Sequence, residues 1–393
     1  MADLRYAMVH EWLTPHARGG SELVVQEILQ HIDADLFALI DFESTNPDSY
    51  LYGRSIGHTF LQHFPRARYG VQPYLPLMPL AIEQLDLRDY DVILSSSHAV
   101  AKGVLTRAEQ RHICYCHAPM RYAWDLTLDY LEQSKIKWGL KGSLTRYLLH
   151  RLRQWDVLSA NRVDHFIANS RTTADRIWRC YRRTAEVIYP PVAIDRFTYE
   201  PHKQDFYLTV CRLVGYKQVE LIIRAFNEVG LPLLVIGEGP DAEKLQRLAK
   251  PNIQLLGWRS NPEVAHYLSQ AKAFVYAAYE DFGIAPVEAQ ACGTPVIAYG
   301  RGGTGESVKD LLEVGDRGTG ILFQRQSVPD LVAAIQKFES HHRQFSPENI
   351  HAHAQQFSST AFRDRYLTSL EHYLSQNSRD YRSQIAIKGT NLR

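Results

Sequence analysis

FYLTVCRLVGYKQVELIIRAFNEVGLPLLVIGEGPDAEKLQRLAK, residues 206–250, passes twice through one alternation. Phe206–Val210 is a short apolar, β-rich run, and Val219–Val229 has apolar residues at helical spacing. Leu231–Ile236 is apolar again, and Asp241–Ala249 is helical again. Strands buried on both faces read as continuous apolar runs, and their alternation with helices of roughly 8–12 residues is the βαβ grammar of a parallel sheet. Downstream, Ile253–Leu256, Ala273–Ala277, Pro295–Ala298 and Ile321–Phe323 read as strands, with Pro262–Ala271 and Pro286–Cys292 as helices. Upstream, Tyr6–His10, Asp35–Ile40, Asp91–Leu94, Arg111–Cys116 and His165–Ala168 read as strands. A helix opens at Gly19-Gly20, with Val24, Val25, Ile28 and Leu29 on one face. The fold class is α/β.

The alternation stops at Tyr189-Pro190-Pro191-Val192 and starts afresh beyond it. Two prolines end a strand and hold the chain extended. The expected organisation is a doubly wound, Rossmann-like domain over residues 1–192, a second over 193–358, and a C-terminal piece over 359–393. In that last piece Thr360–Leu374 is amphipathic, with Phe362, Tyr366, Leu370 and Tyr373 on one stripe that packs back toward the N-terminal domain. The polar tail from Ser375 is expected to fray. Two such domains facing across a cleft would turn the carboxyl ends of both sheets toward a ligand.

A chain of 393 residues is long enough for two domains. With 45% hydrophobic and 22% charged residues it is neither disordered nor collagen-like. A net charge of +1 speaks against a wholly basic nucleic-acid binder, and no nucleic-acid partner is expected. No run of 18 apolar residues is present, and the N-terminus shows no secretory pattern, so a cytoplasmic protein is expected. Cys114, Cys116, Cys180, Cys211 and Cys292 are odd in number and scattered, as in a reducing compartment. Cys114-Tyr115-Cys116 has no second pair to complete a metal site and reads as buried strand thiols.

Charge is unevenly spread. Residues 102–183 hold 16 Lys/Arg against 7 Asp/Glu, mostly on helical stretches at Ser143–Arg162 and Arg171–Arg183. Trp138, Tyr147, Trp155 and Trp178 interleave with these charges. The stretch is either a solvated helix face or a surface that meets anionic lipid headgroups or a polyanionic substrate. The second reading makes the protein peripheral to a membrane.

Tyr279-Glu280-Asp281-Phe282-Gly283-Ile284-Ala285-Pro286-Val287-Glu288 carries the strongest chemical signal. A strand ends just before it, Gly283 allows a tight turn, and Pro286 suits a helix start. Glu280 and Glu288 flank that turn and can point at different parts of one ligand. The amides around Phe282, Gly283 and Ile284 would sit at a helix N-terminus, which favours anions. The plain alternative is that Glu288 complements the helix dipole while Glu280 is solvated. In Val210-Cys211-Arg212-Leu213-Val214-Gly215-Tyr216-Lys217, an Arg and a Lys lie five apart at a βα turn. Such a pair can grip a diphosphate, Arg in bidentate fashion and Lys as a point charge. Trp12–Glu22 contains Gly19-Gly20 after the first strand, and Gly237-Glu238-Gly239-Pro240-Asp241 is a further glycine turn. His117, in Cys116-His117-Ala118-Pro119-Met120-Arg121-Tyr122-Ala123-Trp124-Asp125, follows an apolar strand at its carboxyl end.

Together these strings resemble the retaining glycosyltransferases of family 4, which have the GT-B fold. The resemblance covers Tyr6 to Leu374. Tyr279–Ala298 is similar to that family's Glu-x7-Glu signature, which implies Glu280 beside the donor sugar and Glu288 on the ribose hydroxyls. Arg212 and Lys217 look like its diphosphate clamp, although Cys211 and Gln218 stand where many relatives have small residues or glycine. Gly19 and Gly20 resemble its N-terminal loop against the donor phosphate, Gly237 its nucleotide turn, and His117 its contact to the transferred sugar. The string His117–Asp125, with Gly300-Arg301-Gly302-Gly303-Thr304-Gly305-Glu306, is similar to bacterial O-antigen mannosyltransferases that use GDP-mannose.

The resemblance implies transfer of a hexose, foremost mannose from GDP-mannose, to a hydroxyl of a glycan or lipid-linked saccharide in polysaccharide biosynthesis. His117, Arg212, Lys217 and Glu280 would be catalytic. Gly19, Gly20, Gly237, Phe282, Gly283, Ile284 and Glu288 would join the clamp in holding the donor. No cofactor and no divalent metal are expected. Asp33-Ala34-Asp35 and Asp89-Tyr90-Asp91 have Asp-x-Asp spacing, but both lead into strands and would lie at the amino ends of the sheet. The competing readings are a UDP-hexose-dependent transferase, a GT-B-like epimerase or phosphorylase, and a non-catalytic scaffold that binds a nucleotide sugar.

Overall fold

The computed structural model describes residues 4–15, 19–125, 127, 128, 131 and 139–389, with residue 72 and residues 376–389 described by backbone alone. His16, Ala17, Arg18 and Trp138 lie outside the described residues. The chain divides into two compact units, Met1–Ile188 with Arg363–Arg393, and Tyr189–Phe362.

The first unit is built on seven strands: β1 (Tyr6–His10), β2 (Ala34–Ala38), β3 (Ile56–His58), β4 (Val92–Ser97), β5 (Arg111–Cys116), β6 (His165–Ala168) and β7 (Glu186–Val187). They pair in the order β3-β2-β1-β4-β5-β6-β7, all parallel. Its helices are α1 (Gly20–His31), α2 (Met78–Ile82), α3 (Gly139–Ala160) and α4 (Arg171–Tyr181). α1 buries Val24, Val25 and Ile28, the face expected from its spacing. The short edge strands β3 and β7 have too few residues to show a pattern, and the sequence reading did not assign them.

β4 runs three residues past its expected end at Leu94, through Ser95, Ser96 and Ser97, all buried. A polar strand end is stable in an interior when every hydroxyl is bonded. Ser95 Oγ lies 2.8 Å from His112 Nε2, Ser96 Oγ 2.8 Å from His117 Nε2, and Ser97 Oγ donates to Glu11 Oε1 at 3.1 Å. Lys102 also departs from expectation. Counted among the surface charges, it is instead interior, donating from Nζ to Asp156 Oδ1 (2.5 Å) and Ser159 Oγ (3.1 Å). Asp156 Oδ2 accepts from Trp124 Nε1 at 2.7 Å and Tyr181 Oη at 2.8 Å. Breaking a buried pair of this kind by removing one partner costs about 3–5 kcal/mol.

The second unit repeats the grammar with β8 (Tyr207–Val210), α5 (Val219–Val229), β9 (Leu233–Ile236), α6 (Ala242–Leu248), β10 (Ile253–Gly257), α7 (Asn261–Gln270), β11 (Ala273–Tyr276), α8 (Ile284–Ala291), β12 (Val296–Tyr299), α9 (Thr304–Ser307), α10 (Leu311–Val314), β13 (Gly320–Phe323), α11 (Val328–His341) and α12 (Pro347–Ala354). The sheet order is β10-β9-β8-β11-β12-β13, again all parallel. α5 buries Val219, Ile222, Ile223 and Phe226, and the Phe226 ring stands edge-on to Tyr207 at 5.0 Å. Each such side chain contributes about 1.5–3 kcal/mol by leaving water.

A last helix, α13 (Ser359–Gly389), follows. Phe362, Tyr366 and Leu370 are buried, as their stripe predicts. Within the first unit Tyr366 lies beside Tyr115 and Tyr373 stacks on His165 at 5.0 Å, while Ser369 Oγ donates to Glu186 at 2.5 Å. The expectation of a frayed tail from Ser375 is corrected, because the helix continues to Gly389. All five cysteines are unpaired, with Cys114, Cys116 and Cys292 buried. Among the described residues no helix is long and apolar enough to cross a membrane.

Candidate functional site

Strand order reverses between β1 and β4 in the first unit and between β8 and β11 in the second. Loops leaving the carboxyl ends beside such a reversal diverge and open a crevice where ligands bind. Arg212 and Lys217 follow β8, Glu280 follows β11, Gly237 follows β9, and His117 follows β5, which neighbours β4. Asp35 and Asp91 stand at the opposite, amino ends, where they accept from Tyr90 Oη (2.8 Å) and the Arg5 amide (2.9 Å).

In the second unit Lys217 Nζ donates to Glu280 Oε1 at 2.5 Å and to Tyr276 Oη at 3.1 Å, and Tyr276 Oη lies 3.3 Å from the same carboxylate oxygen. Desolvation would lower the pKa of this ammonium, but the fields of Tyr276 and Glu280 outweigh it and raise it, so Lys217 stays charged. The structure thus joins two residues that the sequence assigns to different parts of a ligand. Arg212 is exposed, and its guanidinium makes no hydrogen bond or ion pair with the described residues.

Glu288, on α8, has a partner other than those of Glu280. Its Oε1 lies 3.4 Å from Arg196 Nη2. Burial raises its pKa while Arg196 pulls the other way. The Phe282 ring turns into the core against Tyr189 and Phe357, both at 5.6 Å, which leaves its main chain at the loop, the part the sequence reading assigned to the donor. The helix begins at Ile284, two residues before the expected Pro286, with Gly283 at its N-cap and no side chain capping it. Beside Gly283, Thr304 Oγ1 is buried without a hydrogen-bond partner among the described residues, a feature the sequence reading missed.

Two glycines explain themselves by close approach. A Cβ on Gly237, at φ +139°, would lie 1.9 Å from the Cys211 carbonyl oxygen, and one on Gly303 would lie 2.3 Å from that of Asp281. Any side chain there would drive the neighbouring loops apart. The glycine string at residues 300–306 therefore seats the Glu280 loop, and Gly303 N donates to Glu280 O at 2.9 Å.

In the first unit His117 Nε2 meets Ser96 Oγ, and the ring is half-buried. Burial, with His98 and His10 nearby, holds its pKa well below the usual histidine range, so the imidazole is neutral. Ser96 Oγ also lies 3.2 Å from His10 Nδ1, and His10 Nε2 lies 3.5 Å from Glu22 Oε1. Burial opposes the Glu22 charge, but the His10 ring beside it, with the backbone and Ser21 Oγ donors, outweighs it and brings the carboxyl down to about 2. Glu22 Oε2 accepts from the Gly19 amide at 2.8 Å and from Ser21 Oγ at 2.9 Å. The Gly19 amide is thus occupied by an internal carboxylate. Gly20 is the first residue of α1.

Glu11 escaped the sequence reading altogether. Fully buried, its Oε1 accepts from the amides of His98 (3.0 Å), Ala99 (2.7 Å), Val100 (3.0 Å) and Ala101 (3.1 Å). Burial opposes its charge, yet His98 and these amides hold its pKa below the usual range. A nest of successive amides binds an anion in this way. The available signal was a polar pair, His10-Glu11, directly after an apolar strand. Among the described residues no group of three or more His, Cys, Asp or Glu is placed to hold a metal ion.

Residues 18–196 match the family described as Glycosyltransferase Family 4, and residues 193–357 match Glycosyl transferases group 1. A glycosyltransferase of Methanocaldococcus jannaschii is 29% identical over 297 residues, covering 74% of this chain and 78% of its own. The O-antigen chain mannosyltransferase of Salmonella typhimurium is 29% identical over 152 residues, covering 36% of this chain and 43% of its own. Among solved structures, the Anabaena HepE protein in complex with UDP-glucose superposes with a TM-score of 0.64 at 17% identity, covering 93% of this chain and 99% of that one.

Proposed function

The chain is a glycosyltransferase of the GT-B fold, and on that premise we propose that it is a retaining, metal-independent enzyme that moves mannose from GDP-mannose to a hydroxyl of a glycan or lipid-linked saccharide. The observation that carries the reading is the cluster at the β8 and β11 ends: charged Lys217 bound to Glu280, with the exposed Arg212 on the same loop as Lys217. The bond from sugar C1 to the diphosphate breaks, and negative charge grows on the leaving phosphate oxygens. Arg212, Lys217 and the α8 amides stabilise that charge, each donor contributing roughly 3–4 kcal/mol. The departing phosphate oxygen takes the proton of the acceptor hydroxyl on the same face, and that hydroxyl oxygen bonds to C1. Two carboxylates can also retain configuration by double displacement. Here Glu280 is tied to an ammonium, which blunts it as a nucleophile and suits it to orienting sugar hydroxyls. Glu288 takes the ribose hydroxyls.

The His117–Asp125 string and the Salmonella relative's name support mannose. The second reading, a UDP-hexose donor, is favoured by the UDP-glucose that the Anabaena neighbour holds. A thermal-shift series with GDP, UDP and ADP separates them, because a ligand that binds only the folded state raises the midpoint in step with its affinity. A GDP-selective rise is expected, and a UDP-selective rise overturns the mannose assignment. Turnover unchanged by a chelator supports metal independence, and its loss refutes it.

The acceptor's setting follows from α3. Leu140, Leu144, Tyr147 and Leu158 are exposed on one face of this helix, with Arg151 among them and Lys141 beside them. An apolar stripe with cationic flanks suits an anionic lipid surface, which would hold the enzyme at the cytoplasmic face of a membrane. Flotation with anionic vesicles, lost in Leu144→Asp and absent with neutral vesicles, is the expected result.

A further inference from the structure

Residues 192–203 form a strap tied down along α8. Val192 N donates to the Phe357 carbonyl at 2.9 Å, and Glu200 N to the Cys292 carbonyl at 3.2 Å. Lys203 Nζ donates to that same Cys292 carbonyl and to Thr294 Oγ1, both at 2.9 Å. Within the strap, Arg196 ends the short turn Ile194–Arg196. Its guanidinium lies over the ring of buried Phe197, 5.1 Å from the centroid. Glu288 precedes Cys292 by one helical turn. There Arg196 Nη2 donates to Glu288 Oε1 at 3.4 Å, while Glu288 Oε2 has no partner among the described residues.

We infer that Arg196 is a positioning residue that keeps Glu288 a carboxylate with one oxygen open to a ligand. Desolvation favours the neutral form of this half-buried carboxyl, and Arg196 supplies the opposing field. A carboxylate is acceptor only, so two hydroxyls can both donate to it, whereas a protonated carboxyl spends one oxygen on its own O–H. A guanidinium does not lose its charge in the working range, so its pull on Glu288 is constant. Other titratable groups around α8 are turned to other partners. On α12, His351 Nδ1 lies 2.6 Å from the Ala291 carbonyl oxygen and His353 Nε2 3.0 Å from that of Ser307, and Glu348 is exposed. On α9, Glu306 accepts from Tyr189 Oη at 3.3 Å; on α7, Glu263 accepts from Ser260 Oγ at 2.6 Å and His266 is exposed. Tyr276 on β11 bonds Lys217, and the Tyr299 ring on β12 packs on Phe323. On the strap, Asp195 is exposed and Glu200 accepts from the His202 amide at 2.8 Å. The Cys292 thiol is pushed up to about 12 by burial and stays neutral. This role rests on the reading that Glu288 takes the ribose hydroxyls, and it names the group that readies Glu288 for them.

A carboxyl 13C titration of the full chain, with the Glu288 signal assigned by its loss in Glu288→Gln, tests the pairing without any ligand. In Arg196→Gln the Glu288 midpoint should rise by about one pH unit, and Arg196→Lys should recover most of that rise. The melting midpoint should move little, since the pair is half-exposed. Calorimetry with GDP, or with UDP if the thermal-shift series selects it, should follow the titration. Affinity falls as pH drops through the carboxyl midpoint, so in Arg196→Gln the fall begins about one pH unit higher. Between the two midpoints the variant should bind roughly two- to threefold more weakly, and above both it should match the wild type. A Glu288 midpoint unmoved by Arg196→Gln, or an affinity lowered equally at every pH, overturns the role. If the midpoint moves as expected while Glu288→Gln binds the nucleotide as tightly as the wild type at every pH, the pairing with Arg196 holds and the ribose assignment is what fails.

Discussion

At the ends of β8 and β11 the side chains carry charge: Arg212 faces solvent, and the half-buried Lys217 shares Glu280. At the ends of β1, β4 and β5 polar groups are locked inward, with Glu11 in an amide nest, His117 neutral and Ser96 bonded on two sides. The two sheets have the same grammar and the same reversal of strand order, yet one switch point is arranged to meet a charge and the other to fix a hydrogen-bond pattern. On the proposed function, the first would meet the diphosphate leaving group and the second a sugar hydroxyl.

The contrast can be broken at four points. Arg212→Ala should lower turnover by roughly 10²–10³-fold. Because that side chain has no partner among the described residues, the melting midpoint should stay put, and normal steady-state turnover would remove the clamp. Glu22 tests the inward side through pH. Its folded pKa, about 2 against the usual 4.5, means that it stabilises the fold above about pH 4.5 and that this contribution is lost as pH falls toward 2. The contribution is at most about 3 kcal/mol. Urea titrations of Glu22→Gln across that window should show a flatter acid limb, and an unchanged limb would contradict the His10 pairing.

Glu288→Ala should weaken nucleotide binding by about tenfold, the value of one charged hydrogen bond, with a smaller effect on turnover. Calorimetry with the nucleotide reads it, and unchanged affinity would end the ribose assignment. The smallest effect is at Gln218, which has φ +57°, a left-handed conformation that favours glycine. Gln218→Gly should gain about 0.5–1 kcal/mol, since relief of strain exceeds the added chain entropy. A loss of stability there would mean that the glutamine side chain holds the Lys217 turn.

Where residue type and period agreed, elements were readable. Tyr6–His10, Arg111–Cys116, His165–Ala168 and Val219–Val229 fall where the apolar pattern puts them. The strand through Ser95, Ser96 and Ser97 was not readable, because a polar run signals solvent unless its partners are known. Lys102 misled for the same reason, its partner Asp156 being 54 residues away. At the candidate site, Lys217 and Glu280 were found by type and spacing, whereas Ser96, His10 and Glu11 carry no local signature beyond following an apolar strand.

What the chain determined unaided was its alternation of strands and helices, and with it the α/β class and the loops that bear charged or glycine-rich strings. Those follow from side chains a few residues apart, whose periodicity is set by backbone geometry. Strand order, the two switch points, the Lys217–Glu280 bond across 63 residues and the Ser96–His117 bond across 21 were decided only by the tertiary structure. Buried polar atoms must find partners wherever the chain brings them, and no local pattern records which partner that is.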